Sequence, residues 1–155
     1  TVLAGAADQA WLGPNSRYSA SDLTGTGSPA PNELDFALIR LAEEVDPARP
    51  SLKLDRDPPA VVPLDVAVIV QHPGGDPLKI ALGTVVEFPA TGLRYRYNTT
   101  TERGASGAPV FSSDVTLIGL HHAPDPAGAP RYNQAVPVWR VARAIEAAGV
   151  APESL

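Results

Sequence analysis

Apolar residues along this chain recur at every second position, in short runs broken by proline and glycine. The first clear run is "ELDFALIRLAEE", where Leu34, Phe36 and Leu38 alternate with Asp35 and Ala37. A period of two predicts a strand with one buried face. Six further strands are predicted at even spacing: 64–71, 78–88, 93–99, 108–112, 115–122 and 132–138. The segments "HPGGDP", "PATG", "SSD" and "APDPAGAP" separate them with turn-forming residues. One stretch alone has helical spacing. In "VWRVARAIEAAG", Val138, Val141, Ala142 and Ile145 share a face and Gly149 supplies a stop, which predicts a helix over 138–149. Regularly spaced short strands predict an all-β protein built as a closed antiparallel barrel or a sandwich.

The remaining stretches set the domain organisation. Residues 1–33 carry no clear period, and "GPNSRYSASDLTGTGSPAPN" predicts a long loop, of the kind that is functional or mobile in compact domains. "EEVDPARPSLKLDRDPPAVVP" is rich in proline and charge and predicts a surface linker. The chain therefore divides into an N-terminal piece (1–44), a linker (45–63), a strand-rich domain (64–140) and a C-terminal helix and tail (141–155).

Composition narrows the function. With 155 residues and 44% hydrophobic content, the chain can build a real core. A net charge of −5 argues against a nucleic-acid partner or an anionic membrane. No window approaches the roughly 18 to 20 apolar residues that span a bilayer. Cysteine is absent, which excludes a disulfide scaffold, a thiol nucleophile and a thiolate metal site. Without cysteine or a visible export signal the compartment stays unassigned, with a lean to the cytoplasm.

The candidate chemistry lies in "TTTERGASGAPVF", residues 99–111, which sets Ser106 among glycines ahead of a strand. A serine hydroxyl is a weak nucleophile without a base beside it, so Ser106 is either an activated nucleophile or a small residue in a tight turn. A nucleophile elbow of the G-x-S-x-G type fails, because Ala108 replaces the second glycine and no helix follows. "HPGGDP" lacks the G-K-[ST] of a phosphate loop.

"GASGAPVF" followed by "LIGLHH", with "LDFALIRL" upstream, resembles the chymotrypsin-fold (trypsin-like) serine proteases, and within them the bacterial glutamyl-endopeptidase, or V8-like, branch. "VIVQHPGG" and "YNQAVPVWRVARAIEAAG" resemble the opening and closing segments of that family's second barrel. The resemblance implies two antiparallel six-stranded β-barrels, the first incomplete in this chain, with a C-terminal α-helix. It also implies a serine endopeptidase. Ser106 would be the nucleophile, Asp35 the carboxylate that orients the base, and the N–H groups of Gly104 and Ser106 the oxyanion hole. A glycine two residues before the nucleophile lets two amides converge on the developing charge, where losing one donor costs about 3 kcal/mol. For Asp35 the alternative is a strand-start carboxylate that caps backbone N–H groups.

The base is missing. In the family it precedes the aspartate, whereas His72, His121 and His122 all follow Asp35. Too few strands precede the linker to close a first barrel, and an open half-barrel would expose strand edges and apolar surface. The chain therefore reads either as the partner of an N-terminal fragment that carries the histidine, as part of a longer protein, or as a non-catalytic, peptide-binding relative. Alanine at Ala105, where many relatives carry Asp or Asn, rules out activation by pairing with a freed N-terminus.

The V8-like resemblance also implies a substrate preference. Thr101 and His121 stand at the positions that bind an acidic P1 side chain, and Arg103 adds positive charge nearby. Thr100 replaces the acid that Arg/Lys specificity requires. His122 is read as a wall residue and His72 as a loop residue. Adjacent histidines on a strand point to opposite faces, so no metal is assigned, and no cofactor is implied. The implied partner is a protein or peptide substrate.

Overall fold

The computed structural model describes residues 12–24, 26–39, 45–127 and 131–150. Six strands close into an antiparallel barrel: β3 (Val66–Gln71), β4 (Lys79–Glu87), β5 (Tyr95–Tyr97), β6 (Pro109–Phe111), β7 (Leu117–Pro124) and β8 (Asn133–Pro137). Their order around the barrel is β3-β4-β5-β8-β7-β6, and Val68↔Phe111 and Ile69↔Val110 close it. Each lies within a predicted strand or within two residues of one. Of the barrel and the sandwich, the structure has the barrel.

Alternation places the core. Ala67 and Ile69 on β3, Val85 on β4, Tyr95 and Tyr97 on β5, Val110 on β6 and Ile118 on β7 fill the interior. Arg96, between the two tyrosines, points outward and stacks on the Tyr132 ring at 4.6 Å. β4 is the longest strand among the described residues and passes close to the chain after β5. A Cβ at Gly83 would meet Asn98 Oδ1 at 2.6 Å and the Thr99 backbone nitrogen at 2.8 Å, so only glycine fits there. The turn between β6 and β7 carries Val115 at φ 63°, where glycine or asparagine is the usual occupant.

Helix α2 (Val138–Ala147) follows β8 directly, so the helix starts inside the segment assigned to the barrel domain. It buries Val138, Val141, Ala142 and Ile145, the predicted face. Among the described residues no helix is long and apolar enough to cross a membrane.

The N-terminal piece departs from expectation. Where a structureless loop was predicted, β1 (Leu12–Ser16) and a one-turn helix α1 (Ala20–Thr24) form. Ser19 precedes α1, and its hydroxyl accepts from the Ser21 N–H at 3.4 Å, a local cap that a 3.6-residue period does not reveal. β1 pairs antiparallel with β2 (Phe36–Ile39), the strand predicted from "LDFALI". Together they make a two-stranded sheet. The described residues contain one closed barrel, and the first of the two barrels implied by the resemblance is represented by this sheet alone.

One apolar face of β2 is covered, while Ile39 on its other face is exposed. Leu34, Phe36 and Leu38 pack against Leu93 and Val136 of the barrel and Val141 and Ile145 of α2. The linker is also less free than its composition predicts. Leu54 packs on α2 and the barrel exterior, Val61 on the core, and Arg56 pairs with Glu146 at 2.8 Å.

Candidate active site

Ser106 sits at the barrel rim in the turn between β5 and β6. Gly104, two residues earlier, has φ +95°, and a Cβ there would come within 3.0 Å of the His72 carbonyl oxygen. Glycine is required on both counts. Three backbone bonds fix the turn: Ala105 N–H donates to Glu102 O (3.2 Å), Ala108 N–H to Ala105 O (2.9 Å) and Gly107 N–H to His121 O (2.8 Å). Gly74 N–H donates to Arg103 O at 2.7 Å, so the "HPGGD" loop supports the turn from outside. Among the described residues, the N–H groups of Gly104 and Ser106 donate to no other group. These are the two N–H groups that the resemblance assigns to an oxyanion hole, and Ser106 itself is exposed.

Asp35 lies at the entry to β2 with φ 48°, in the left-handed region where aspartate is among the few tolerated side chains. Its N–H donates to Arg17 O at 3.1 Å. Its carboxylate meets the ring of His122 on β7, Nδ1 to Oδ2, at 2.6 Å. β7 therefore joins the two candidate residues: the His121 carbonyl holds the Ser106 turn, and the next side chain holds Asp35.

The position of His122 has a specific cause. β7 pairs with β8 through His121↔Ala135 and then Ala123↔Gln134, so His122 is the extra residue of a bulge. A bulge re-aims its side chain, here out of the barrel toward the N-terminal sheet. Nε2 of the same ring lies 3.0 Å from Asp22 Oδ2, off the line of a hydrogen bond and with no other partner. Asp22, on α1, is gripped in turn by Arg94. Burial raises the Asp22 pKa, but the His122 ring and the Arg94 guanidinium outweigh it and hold the carboxyl below its ordinary 3.8.

The three histidines can be weighed as bases. Both ring nitrogens of His122 face carboxylates, which leaves none for Ser106. His121 points into the barrel, where its Nδ1 meets the Tyr97 hydroxyl at 2.6 Å. Burial there pushes its pKa down to about 4, with the neighbouring His122 adding to the effect. His72 bonds through Nδ1 to Asp76 O at 3.0 Å, within its own loop.

Of the residues expected to bind substrate, His121 is buried, which disfavours its protonated form. The Thr101 hydroxyl donates to Asn133 Oδ1 at 2.9 Å, while Asn133 Nδ2 donates to Thr99 O at 2.6 Å. Arg103 is exposed beside the turn. Sequence reasoning missed Tyr97, Asn133, Asp22 and Arg94. Strand alternation put His121 and His122 on opposite faces, yet nothing in the sequence said what each face meets.

The trypsin-like peptidase domain model matches residues 6–120. No curated protein is significantly similar to the chain in sequence. Solved structures that share the fold include two crystal structures of one protein. Rv3671c from M. tuberculosis H37Rv, a serine-to-alanine mutant in an inactive form, superposes with a TM-score of 0.58 at 16% identity, covering 75% of this chain and 60% of that one. The Rv3671c protease in an inactive form gives 0.60 at 19%, covering 80% and 66%. The chain thus spans less than two thirds of each of those chains, and at such identities the likeness concerns the fold. The family match covers well over half the chain, together with the Ser106 turn and Asp35: this chain belongs to the trypsin-like peptidase domain family.

Proposed function

We propose that the chain is the nucleophile-bearing part of a serine endopeptidase. Ser106 Oγ attacks the scissile carbonyl and forms an acyl-enzyme that water then hydrolyses. The Gly104 and Ser106 N–H groups bind the oxyanion, and Asp35 orients the base. The base is a histidine from polypeptide outside this chain: His122 faces two carboxylates, His121 is buried against Tyr97, and His72 bonds through Nδ1 within its own loop. Asp35 has room to receive it, with its side chain 43% exposed.

One observation carries this reading. The His121 carbonyl on β7 accepts from the Gly107 N–H in the Ser106 turn, and the ring of the next residue, His122, reaches Asp35, so one strand contacts both candidate elements. A peptide-binding module has no chemical need for that combination. On specificity, the neutral His121 and the Thr101–Asn133 bond favour an uncharged P1 side chain. The acidic P1 preference of the V8-like branch would rest on Arg103 alone.

Fluorophosphonate labelling of the natural gene product that contains this chain, read by intact mass, tests the proposal. A label lost in Ser106→Ala supports the enzyme. A folded protein that takes no label is the result expected of the binding module.

A further inference from the structure

We infer that His122 is a positioning residue for Asp35, an inference that rests on the reading of Ser106 and Asp35 given above. The ring reaches Asp35 Oδ2 at 2.6 Å, and its side chain is only 4% exposed. So buried a ring, aimed by a strand bulge at a carboxylate, is held in one orientation. Behind it stand Asp22 on α1 and Arg94 just before β5, which make a row of alternating charge and ring from the barrel to the carboxylate.

The geometry divides the work of Asp35. One oxygen is tied to the barrel through His122 Nδ1, and the exposed side of the carboxylate is left for a second ring. A carboxylate that orients a base must itself be held still, because small errors in its direction pass to the base. Asp35 needs this more than most residues, since it sits at φ 48° where the short two-stranded sheet begins. The only titratable or charged groups within ion-pair distance of the His122 ring among the described residues are Asp35 and Asp22, and Arg94 binds Asp22 from the far side.

The test compares His122→Phe with His122→Asn in the natural gene product, by the rate of fluorophosphonate labelling at Ser106 across pH. Asn can still present an N–H to Asp35, whereas Phe fills the space without a donor. Phe is expected to slow labelling about tenfold, the equivalent of one charge-assisted hydrogen bond. Asn should recover most of that loss. With the donor gone, Asp35 holds more negative potential against the base, so the acidic limb of the profile moves to higher pH in the Phe variant. Parent and Phe variant labelling at equal rates with superimposable profiles would overturn the inference and leave the enzyme reading intact. An equal loss in both variants with the limb unmoved would mark His122 as packing only. An unlabelled, folded parent would overturn the enzyme reading and this inference with it. Detection of the His122 ring N–H proton by NMR, shifted in Asp35→Asn, reports the bridge itself without any activity.

Discussion

Arg94 grips the carboxylate of Asp22 through two nitrogens, Nε to Oδ1 at 3.2 Å and Nη2 to Oδ2 at 2.6 Å. Both side chains are 3% exposed, and the same guanidinium donates to the carbonyls of Leu93 and Glu33. This forked pair fastens α1 and the approach to Asp35 onto the barrel. It accounts for ordered structure in a segment whose composition predicts a loop.

Removing one partner should therefore cost far more than a surface ion pair. Asp22→Ala leaves the Arg94 charge buried and unpaired, a loss of about 3 to 5 kcal/mol, measurable by urea denaturation. The pH dependence has a definite sign. The Asp22 pKa is lowered on folding, so its contribution is present above the ordinary 3.8 and is lost as pH falls below that value. Acid unfolding of the parent should show this loss, and the Ala variant should lack it.

His121 predicts a separate, milder acid sensitivity. Its pKa falls from 6.5 to about 4 on folding, so the neutral ring stabilises the fold above pH 6.5. That stability is lost as pH drops from 6.5 toward 4, by about 3 kcal/mol in all. His121→Gln should flatten stability over this window. Tyr97→Phe, which removes the partner of the buried ring, should cost about 1 to 3 kcal/mol at pH 7.

Gly104→Ala tests the oxyanion cradle without touching the nucleophile. A Cβ at φ +95° strains the backbone and presses on the His72 carbonyl at 3.0 Å, so the turn must shift. Losing one aligned N–H donor should slow acylation of Ser106 by about 100-fold or more. Fluorophosphonate labelling kinetics measures it, alongside a circular dichroism spectrum that should remain that of the parent.

Val115 offers a gain. It is a β-branched, exposed residue in left-handed conformation at the turn between β6 and β7, closed by Ser112 N–H to Thr116 O at 3.0 Å. Val115→Gly or Val115→Asn relieves that conformation at no cost in packing. A rise of about 1 kcal/mol in unfolding free energy is expected, with labelling of Ser106 unchanged.

The six barrel strands and α2 were legible in the sequence because their cause is local. Alternation at Ala67, Ile69, Tyr95 and Tyr97 and helical spacing at Val138, Val141 and Ile145 are periods that burial on one face imposes. The turn at residues 104–106 was legible through its resemblance to a family motif, and glycine suits it because φ +95° at Gly104 admits few residue types. The sequence by itself therefore determined the strands, the closing helix and the turn that carries the candidate nucleophile. Tertiary structure decided which faces those elements share. The ordering of 12–24 depends on Arg94, the aim of His122 on a bulge whose register is set by β8, and the neutrality of His121 on burial against Tyr97. Each of these is a contact between segments distant in the chain, and its energy comes from desolvation and pairing that exist only once the barrel has closed.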